Sequence, residues 1–260
     1  MLMHNKLILV LTYISLYLGT SLPVAAQNFK DRDWNTALYS NCGFPKAVEE
    51  KKNVKWVKVN SDQKLLFSLH PGQIGKCSTD NMARHSAPYW ERAEIRQRGS
   101  MKIGEAYSIK FNATFLEGFD GRQETFFQIH GWNDNCRAYP PVMMHFSSGT
   151  LNIWALRGVK KNAGSEWLSS SQGSHQSVQA KSVRIESLRG KETPFEIIFD
   201  TKNGGLLSVL VNGRYVVKST KVEYSPCAKP HMKMGIYRPG GKGSKKSSIL
   251  FDDVTINRIE

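Results

Sequence analysis

The chain has 260 residues, and its 36 lysines and arginines against 22 aspartates and glutamates give a formal net charge of +14. Such an excess of positive charge favours a polyanionic partner: nucleic acid, an anionic membrane or an acidic polysaccharide. The sequence shows no basic amphipathic helix, which argues against a membrane partner. It also has no Cys-x-x-Cys or His-x-x-x-His spacing, so a structural zinc site is not expected.

The first 26 residues have the pattern of a secretory signal. Lys6 supplies a basic start, Leu7–Leu18 is mostly apolar, and Val24-Ala25-Ala26 offers small residues for cleavage before Gln27. An uncleaved membrane anchor is the alternative, but the apolar run is short and interrupted. We therefore predict a signal peptide over residues 1–26, a single domain over residues 27–260, and a secreted or periplasmic location. Export argues against nucleic acid as the partner.

Four cysteines follow the predicted signal, at positions 42, 77, 136 and 227. An exported protein meets an oxidising compartment, so one or two disulfides are expected. Three complete pairings exist, and the sequence does not choose among them. We favour Cys42–Cys77 with Cys136–Cys227, because the latter two flank predicted strands that carry candidate site residues.

Strand signals recur along the chain and helix signals are almost absent. This pattern predicts an all-β fold, either a two-sheet sandwich or a jelly roll, and no repeat or break in composition indicates a second domain. The predicted strands are Val54–Val59, Lys64–His70, Trp90–Gln97, Ala106–Phe115, Glu124–His130, Val142–Phe146, Thr150–Leu156, Ser182–Glu186, Phe195–Asp200, Leu206–Val211, Arg214–Lys218, His231–Tyr237 and Ile249–Ile259.

Turn and loop signals separate these strands. Asn212-Gly213 predicts a hairpin, because both residues tolerate positive φ. The polar stretch Lys160–Ala180 is interpreted as a long surface loop, with an active-site rim as the alternative. The basic stretch 240–246, which includes Lys242, is either a solvated hairpin tip or a rim that binds substrate.

Three of the predicted strands place polar residues at every second position. They are Arg92-Ala93-Glu94-Ile95-Arg96, Phe126-Phe127-Gln128-Ile129-His130 and Lys233-Met234-Gly235-Ile236-Tyr237. Successive side chains of a strand point to opposite faces, so each segment sends apolar residues one way and titratable or hydrogen-bonding residues the other. If the strands lie side by side, one face holds two guanidinium groups, an amide, an imidazole, an ammonium and a phenol. This set suits an acidic sugar polymer and contains a proton acceptor and a proton donor.

The order of these motifs resembles that of jelly-roll polysaccharide lyases, and alginate lyases of this fold share the general pattern. The resemblance is closer to the heparin lyase I and glucuronan lyase group. It extends to Pro140-Pro141 ahead of the next strand, to the strand start Gly104-Glu105-Ala106-Tyr107, and to Asn212-Gly213 before the third motif. The resemblance spans roughly Trp90 to the C-terminus. It implies a β-jelly roll, a concanavalin-like two-sheet sandwich with a concave substrate groove.

The resemblance also implies an activity: β-elimination on a uronic-acid-containing polysaccharide, glucuronan- or heparin-like, leaving a 4,5-unsaturated uronate end. It implies His130 and Tyr237 as the catalytic pair, with Lys233 and Gln128 lining the site. An acidic polysaccharide is then the partner, no cofactor is required, and a monomer is expected.

The residue types suit this reaction on physical grounds. The C5 proton of a uronate is very weakly acidic, because its removal adds charge beside an existing carboxylate. Arg92 or Arg96 with Gln128 can neutralise the carboxylate and stabilise the enediolate. His130 is the natural base, since an unperturbed imidazole has a pKa of about 6.5. Tyr237 can protonate the leaving oxygen or act as the base itself, and the sequence leaves the choice open.

Further side chains are candidates for secondary members of the site. Glu94 lies between two arginines and is expected to hold their guanidinium groups. It is the only carboxylate of the three motifs, which argues for elimination over hydrolysis, since a hydrolase uses two. The remaining substrate-binding candidates are His231, Lys242 and His85.

Other residues are interpreted as structural, or as having a role outside the three motifs. His70, His145 and His175 are interpreted as structural, and Tyr139, Trp132 and Trp154 as either buried aromatics or sugar-stacking rings. Asp252-Asp253 is weighed as a structural calcium site, although two adjacent acids are a poor signature. The alternatives to a lyase acting on a glucuronan- or heparin-like polymer are an alginate lyase, a non-catalytic lectin-like module that binds acidic glycans, and a glycoside hydrolase.

Overall fold

The computed structural model describes residues 53–75, 77, 80–83, 86–97, 99–131, 139–159, 174–202, 204–225, 227–241 and 245–260. Within them the regular secondary structure is almost entirely strand. The strands are β1 Val54–Val59, β2 Asp62–Leu69, β3 Trp90–Arg96, β4 Ala106–Phe115, β5 Glu124–His130, β6 Val142–Ser147, β7 Thr150–Arg157, β8 Ser174–Arg184, β9 Glu192–Asp200, β10 Leu206–Val211, β11 Arg214–Lys221, β12 His231–Pro239 and β13 Ser247–Ile259, with one short helix, α1 Ile185–Leu188.

These strands form two antiparallel sheets that pack face to face. The seven-stranded sheet has the order β1-β2-β13-β4-β9-β10-β11, and the six-stranded sheet has the order β3-β12-β5-β6-β7-β8. The predicted two-sheet, all-β architecture is therefore confirmed.

The core between the sheets is rich in phenylalanine. Phe111 of β4 stacks on Phe127 of β5, with ring centroids 5.3 Å apart, and so joins one sheet to the other. Phe115 of β4 meets Phe126 of β5 edge to face at 5.2 Å. All four rings are at most 2% exposed, and burying each contributes about 1.5–3 kcal/mol. This core holds the six-stranded sheet in place and leaves its other face for the polar residues.

The hairpin between β10 and β11 forms as predicted. Asn212 and Gly213 have φ values of 51° and 71°, and Val211 pairs with Arg214 across the turn. Positive φ at both central positions is the requirement of the tight turn that matches strand twist.

Two predictions around β8 are wrong. The loop predicted over Lys160–Ala180 contains the first half of a strand, because β8 begins at Ser174 and pairs with β7. The strand predicted over Ser182–Glu186 ends at Arg184, and the chain turns into α1 at Ile185. As the last strand in its sheet, β8 has one unpaired edge, so a polar run of serine, histidine and glutamine is tolerated there.

No helix among the described residues has the length and apolar character needed to cross a membrane. The two cysteines in that part of the chain, Cys77 and Cys227, are both disulfide-bonded. Cys42 and Cys136 lie outside the described residues, as does the signal over residues 1–26, so the pairing and the signal stay predictions.

Candidate active site

The three strands with alternating polar residues lie side by side in the six-stranded sheet. β12 is in the middle, with β3 on one side and β5 on the other. Across these strands Lys233 pairs with Arg96 and with Gln128. Tyr237 pairs with Arg92, and His231 pairs with His130. Directly paired residues project to the same side of a sheet, so the structure brings these side chains onto one face.

The opposite face of the same strands packs into the core. Ala93 and Ile95 of β3, Ile129 of β5, and Met234 and Ile236 of β12 all belong to the buried hydrophobic cluster. The polar side therefore points away from the seven-stranded sheet. We call this polar side the site face; it comprises Arg92, Glu94, Arg96, Gln128, His130, His231, Lys233 and Tyr237.

Arg92 is held on the site face by hydrogen bonds to two carboxylates. Its Nε and one terminal nitrogen donate to the two carboxylate oxygens of Asp80, at 3.0 and 2.8 Å. Its other terminal nitrogen donates to Glu94 at 2.5 Å. Burial opposes the charge, but Glu94 and Asp80 more than offset it and raise the pKa of Arg92. Arg92 is therefore a permanent cation whose plane is held by two carboxylates.

The ring of Tyr237 lies between two other side chains. The Arg92 guanidinium is 4.0 Å from the ring centroid, and the Trp90 indole stacks on the ring with centroids 5.0 Å apart. Only 8% of Tyr237 is exposed. These contacts hold the phenol in one orientation, as a positioned proton donor or acceptor requires.

Glu94 and Gln128 meet across the middle strand. Gln128 donates from Nε2 to Glu94 Oε1 at 2.6 Å, although β12 separates their strands. The strand position opposite Glu94 is Gly235, which has φ +140° and where an added Cβ would lie 2.1 Å from the Ala93 carbonyl oxygen. The glycine of the Lys-x-Gly-x-Tyr motif is therefore required by this close approach of backbones.

Two imidazoles lie together at one end of the site face. The rings of His130 and His231 are 5.6 Å apart. His231 Nδ1 donates to the Lys229 carbonyl oxygen at 2.9 Å, which leaves Nε2 unprotonated in the neutral ring. Burial lowers the pKa of His231 to about 4, and burial with the nearby Lys233 ammonium lowers the pKa of His130 well below its usual value. Both rings are neutral at neutral pH, and a neutral ring can accept a proton.

Lys233 is a buried cation on the middle strand, with only 2% of the residue exposed. Burial and the Arg92 guanidinium lower its pKa to about 7. An anion bound on the site face would favour the ammonium form and raise this pKa again. The site face therefore combines cations with neutral imidazoles, which suits binding a carboxylate beside a group that removes a proton.

Asp80 was missed by the sequence analysis. It is fully buried, its backbone N–H donates to the Cys77 carbonyl at 2.7 Å, and its own carbonyl accepts from Trp90 N–H at 2.8 Å. Its carboxylate also accepts from the Cys77 N–H. An aspartate three residues after Cys77 was the only signal, and nothing in the sequence links it to Arg92.

The base of the basic stretch 240–246 is tied to the buried network at the end of β12. Arg238 donates to Glu91 at 2.7 Å and to Glu124 at 2.8 Å, and its remaining terminal nitrogen donates to the Lys245 carbonyl at 2.6 Å. Lys242, a predicted substrate-binding residue, lies outside the described residues, as do His85 and Trp132.

The candidate calcium site at Asp252-Asp253 belongs to an ion-paired cluster on the seven-stranded sheet. The Lys64 ammonium lies 3.2 Å from Asp252 and also pairs with Glu192. Among the described residues, no group of three or more histidine, cysteine or acidic side chains is arranged to hold a metal ion. The calcium site stays a prediction.

Comparison with known proteins found one family model and several structures of similar fold. A family model for polysaccharide lyases matches residues 33–255. The structure is similar to an endo-β-1,4-glucuronan lyase from the fungus Trichoderma reesei, with TM-score 0.60 and 12% identity over 79% of this chain and 87% of that one. It is also similar to the alginate lyase AlyC3, with TM-score 0.52 and 15% identity over 76% of each chain.

A third similar structure is the alginate lyase vAL-1 from Chlorella virus, with TM-score 0.51 and 14% identity over 80% of this chain and 90% of that one. At such identities the likeness shows the fold, and the predicted jelly roll is confirmed. No curated protein matches the sequence.

Proposed function

Because this chain belongs to the polysaccharide lyase family, we propose that it cleaves a 4-linked uronic-acid polysaccharide by β-elimination on the site face. The observation that carries the proposal is the register of β3, β12 and β5. It places Lys233, Gln128 and Arg96 in one row, with His130 and Tyr237 on the same face. The two cationic side chains, the neutral imidazole and the phenol therefore lie on one face of the sheet.

The first step is to bind the uronate carboxylate. Arg96 and Lys233 are the cations proposed to hold it, with Gln128 as a neutral hydrogen-bonding partner. Arg92 is not proposed to bind the uronate carboxylate, because its guanidinium is already bonded to Asp80 and Glu94. Neutralising the carboxylate lowers the barrier to forming the enediolate, whose extra charge falls on the same oxygens.

The second step is proton transfer and elimination. The neutral imidazole of His130 takes the C5 proton as the C5–H bond breaks. The electron pair of that bond passes into the enediolate. That pair then forms the C4–C5 double bond as the C4–O4 bond breaks. The Tyr237 hydroxyl gives its proton to O4, and the imidazolium returns a proton to the phenolate through solvent. No oxidant, reductant or cofactor is consumed.

We propose polyglucuronate as the first substrate to test, with alginate second and heparin-like chains third. The similar fold of a glucuronan lyase supports that order, and the basic net charge supports an acidic polymer in general. The predicted signal peptide supports secretion or export to the periplasm.

The test is ultraviolet absorbance of the conjugated double bond during incubation with each polymer. His130→Ala and Tyr237→Phe should each abolish the signal while the protein stays folded. Tyr215→Phe is the matched control, because Tyr215 is an exposed tyrosine on β11 of the other sheet, and it should keep the full rate. Full activity in both site variants would contradict the assignment.

A further inference from the structure

A second group of aromatic and imidazole rings lies on strands β6 to β8 and on the segment just before β6. The Trp154 indole is 4.4 Å from the His145 ring, edge to face, and 5.4 Å from the His175 ring, stacked at 24°. The His175 ring in turn meets Tyr139 at 5.8 Å. We call these four residues the aromatic row.

The aromatic row continues the site face. Gln128 of β5 pairs with Met143 of β6, which pairs with Trp154 of β7. Paired residues share a side of the sheet, so Trp154 projects on the same side as Gln128. Two strand spacings of about 4.8 Å separate their strands, roughly 10 Å in all. The aromatic row therefore begins about where a neighbouring sugar of a chain crossing the strands would lie.

The aromatic row differs from the site face in charge. Burial, with a smaller effect of His175, lowers the pKa of His145 to about 4. Burial also lowers the pKa of His175, although its Nε2 donates to the Pro140 carbonyl at 2.9 Å. At neutral pH these two imidazoles carry no charge, in contrast to the arginines and lysine of the site face.

The aromatic row also offers surface and hydrogen bonds to a sugar. Trp154, His175 and Tyr139 are each partly exposed, so a ring can reach them. His145 is only 6% exposed, and its Nδ1 has no hydrogen-bond partner among the described residues. A buried polar atom in that state gains from a hydroxyl brought by a ligand. Flat rings beside a hydrogen-bonding atom are suited to a pyranose, which has apolar C–H faces and polar edges.

We propose that the aromatic row is a glycan-binding subsite for a second sugar of the same polymer chain that reacts on the site face. The inference rests on the proposed function. It assigns the polymer a direction across the strands, from β12 towards β8. It also implies that the second sugar is held by ring stacking, whereas the reacting sugar is held through its carboxylate.

The test compares chain lengths. Trp154→Ala should lower kcat/KM on long polyglucuronate about tenfold through KM, the loss typical of truncating one well-packed aromatic contact. Short oligoglucuronates that fill only the site face should lose much less. His175→Ala, on the edge strand β8, should act in the same direction without disturbing the sheet. Trp154→Phe should restore most of the affinity, and Tyr215→Ala on the other sheet should change nothing.

A binding measurement separates this proposal from the proposed function. Each variant is combined with His130→Ala and run in native gels that contain polyglucuronate, alginate or heparin. Loss of retardation on adding Trp154→Ala or His175→Ala supports the subsite, even if the wild-type protein cleaves none of the polymers and the proposed activity fails. The subsite is overturned if the His130→Ala protein and both double variants are retarded equally. It is also overturned if the His130→Ala protein is not retarded in any gel.

Discussion

The guanidinium of Arg92 lies 4.0 Å from the centre of the Tyr237 ring, and two buried carboxylates hold it there. Asp80 and Glu94 take up its hydrogen bonds, so Arg92 is a fixed positive charge against the phenol. A cation in this position stabilises any negative charge that develops on the ring oxygen. The orientation of the proposed proton donor thus depends on a loop aspartate outside the three site strands.

Asp80→Asn should therefore damage both activity and stability. It leaves Arg92 buried with one carboxylate, and breaking a buried pair costs about 3–5 kcal/mol. We expect kcat to fall by about 10- to 100-fold at temperatures where the variant is folded, as for other residues that orient a site group. Urea unfolding and the absorbance assay measure the two effects.

The matched control for this substitution is Glu186→Gln. Glu186 pairs with Arg184 at 3.5 Å, and both side chains are more than half exposed, so the change should cost less than about 1 kcal/mol. Equal costs for the two variants would show that the Asp80 pair does not stabilise the site.

Gly235→Ala tests the close approach of β12 and β3. The new Cβ would lie 2.1 Å from the Ala93 carbonyl oxygen, so the strands must separate and the Glu94–Gln128 bond across them should break. We expect loss of activity and a fall in the free energy of unfolding of more than about 3 kcal/mol. Gly213→Ala is the control, because it also has positive φ but nothing within 4 Å, and it should cost about 1 kcal/mol. Similar costs would contradict the steric argument.

The faces of β3, β5 and β12 could be predicted from the sequence because strand periodicity is local. Arg92 and Glu94 alternate with apolar residues, and so do Lys233 and Tyr237. The adjacency of these strands is a different matter. β12 lies between β3 and β5 although it comes much later in the chain, and no local pattern encodes that order. The shared face could therefore be predicted only on the condition that the three strands lie side by side.

Features that depend on tertiary contacts were missed. Asp80 contacts the site face only because the fold brings its loop against Arg92. The polar composition of the first half of β8 predicts a loop, because the edge position that tolerates it becomes visible only once the sheet is assembled. The stacking of His145 and His175 around Trp154 likewise joins residues from three strands, whereas each histidine alone had the pattern of an ordinary structural side chain.

His145 should make the protein less stable in mild acid. Its pKa is about 4 in the folded chain and about 6.5 in an unfolded one. Between these values the unfolded chain binds more protons, so the free energy of unfolding falls as the pH is lowered through this window. From roughly pH 7 to pH 5 this one group contributes a loss of about 2 kcal/mol.

His145→Leu removes this titration, so its free energy of unfolding should fall about 2 kcal/mol less than that of the wild type over the same interval. Urea titrations at the two pH values measure it. Ile153→Val is the control, because Ile153 is fully buried on β7 and cannot titrate; its cost should be the same at both. An unchanged pH dependence in His145→Leu would show that the ring is protonated equally in both states.

Lys233→Met should stabilise the fold while removing activity. The buried ammonium has a pKa of about 7 against about 10.4 when unfolded. The unfolded chain therefore binds more protons between these values, and the stability penalty of Lys233 is fully present below pH 7 and fades as the pH rises towards 10.4. An apolar side chain of similar length should raise the free energy of unfolding by about 1–4 kcal/mol near pH 6, and by less near pH 9.

The rate should fall by about 100-fold or more, since a proposed carboxylate-binding cation is lost. Lys218→Met, an exposed lysine on β11, should alter neither quantity, and a Lys233→Met protein that is less stable at both pH values would mean that the ammonium stabilises the fold.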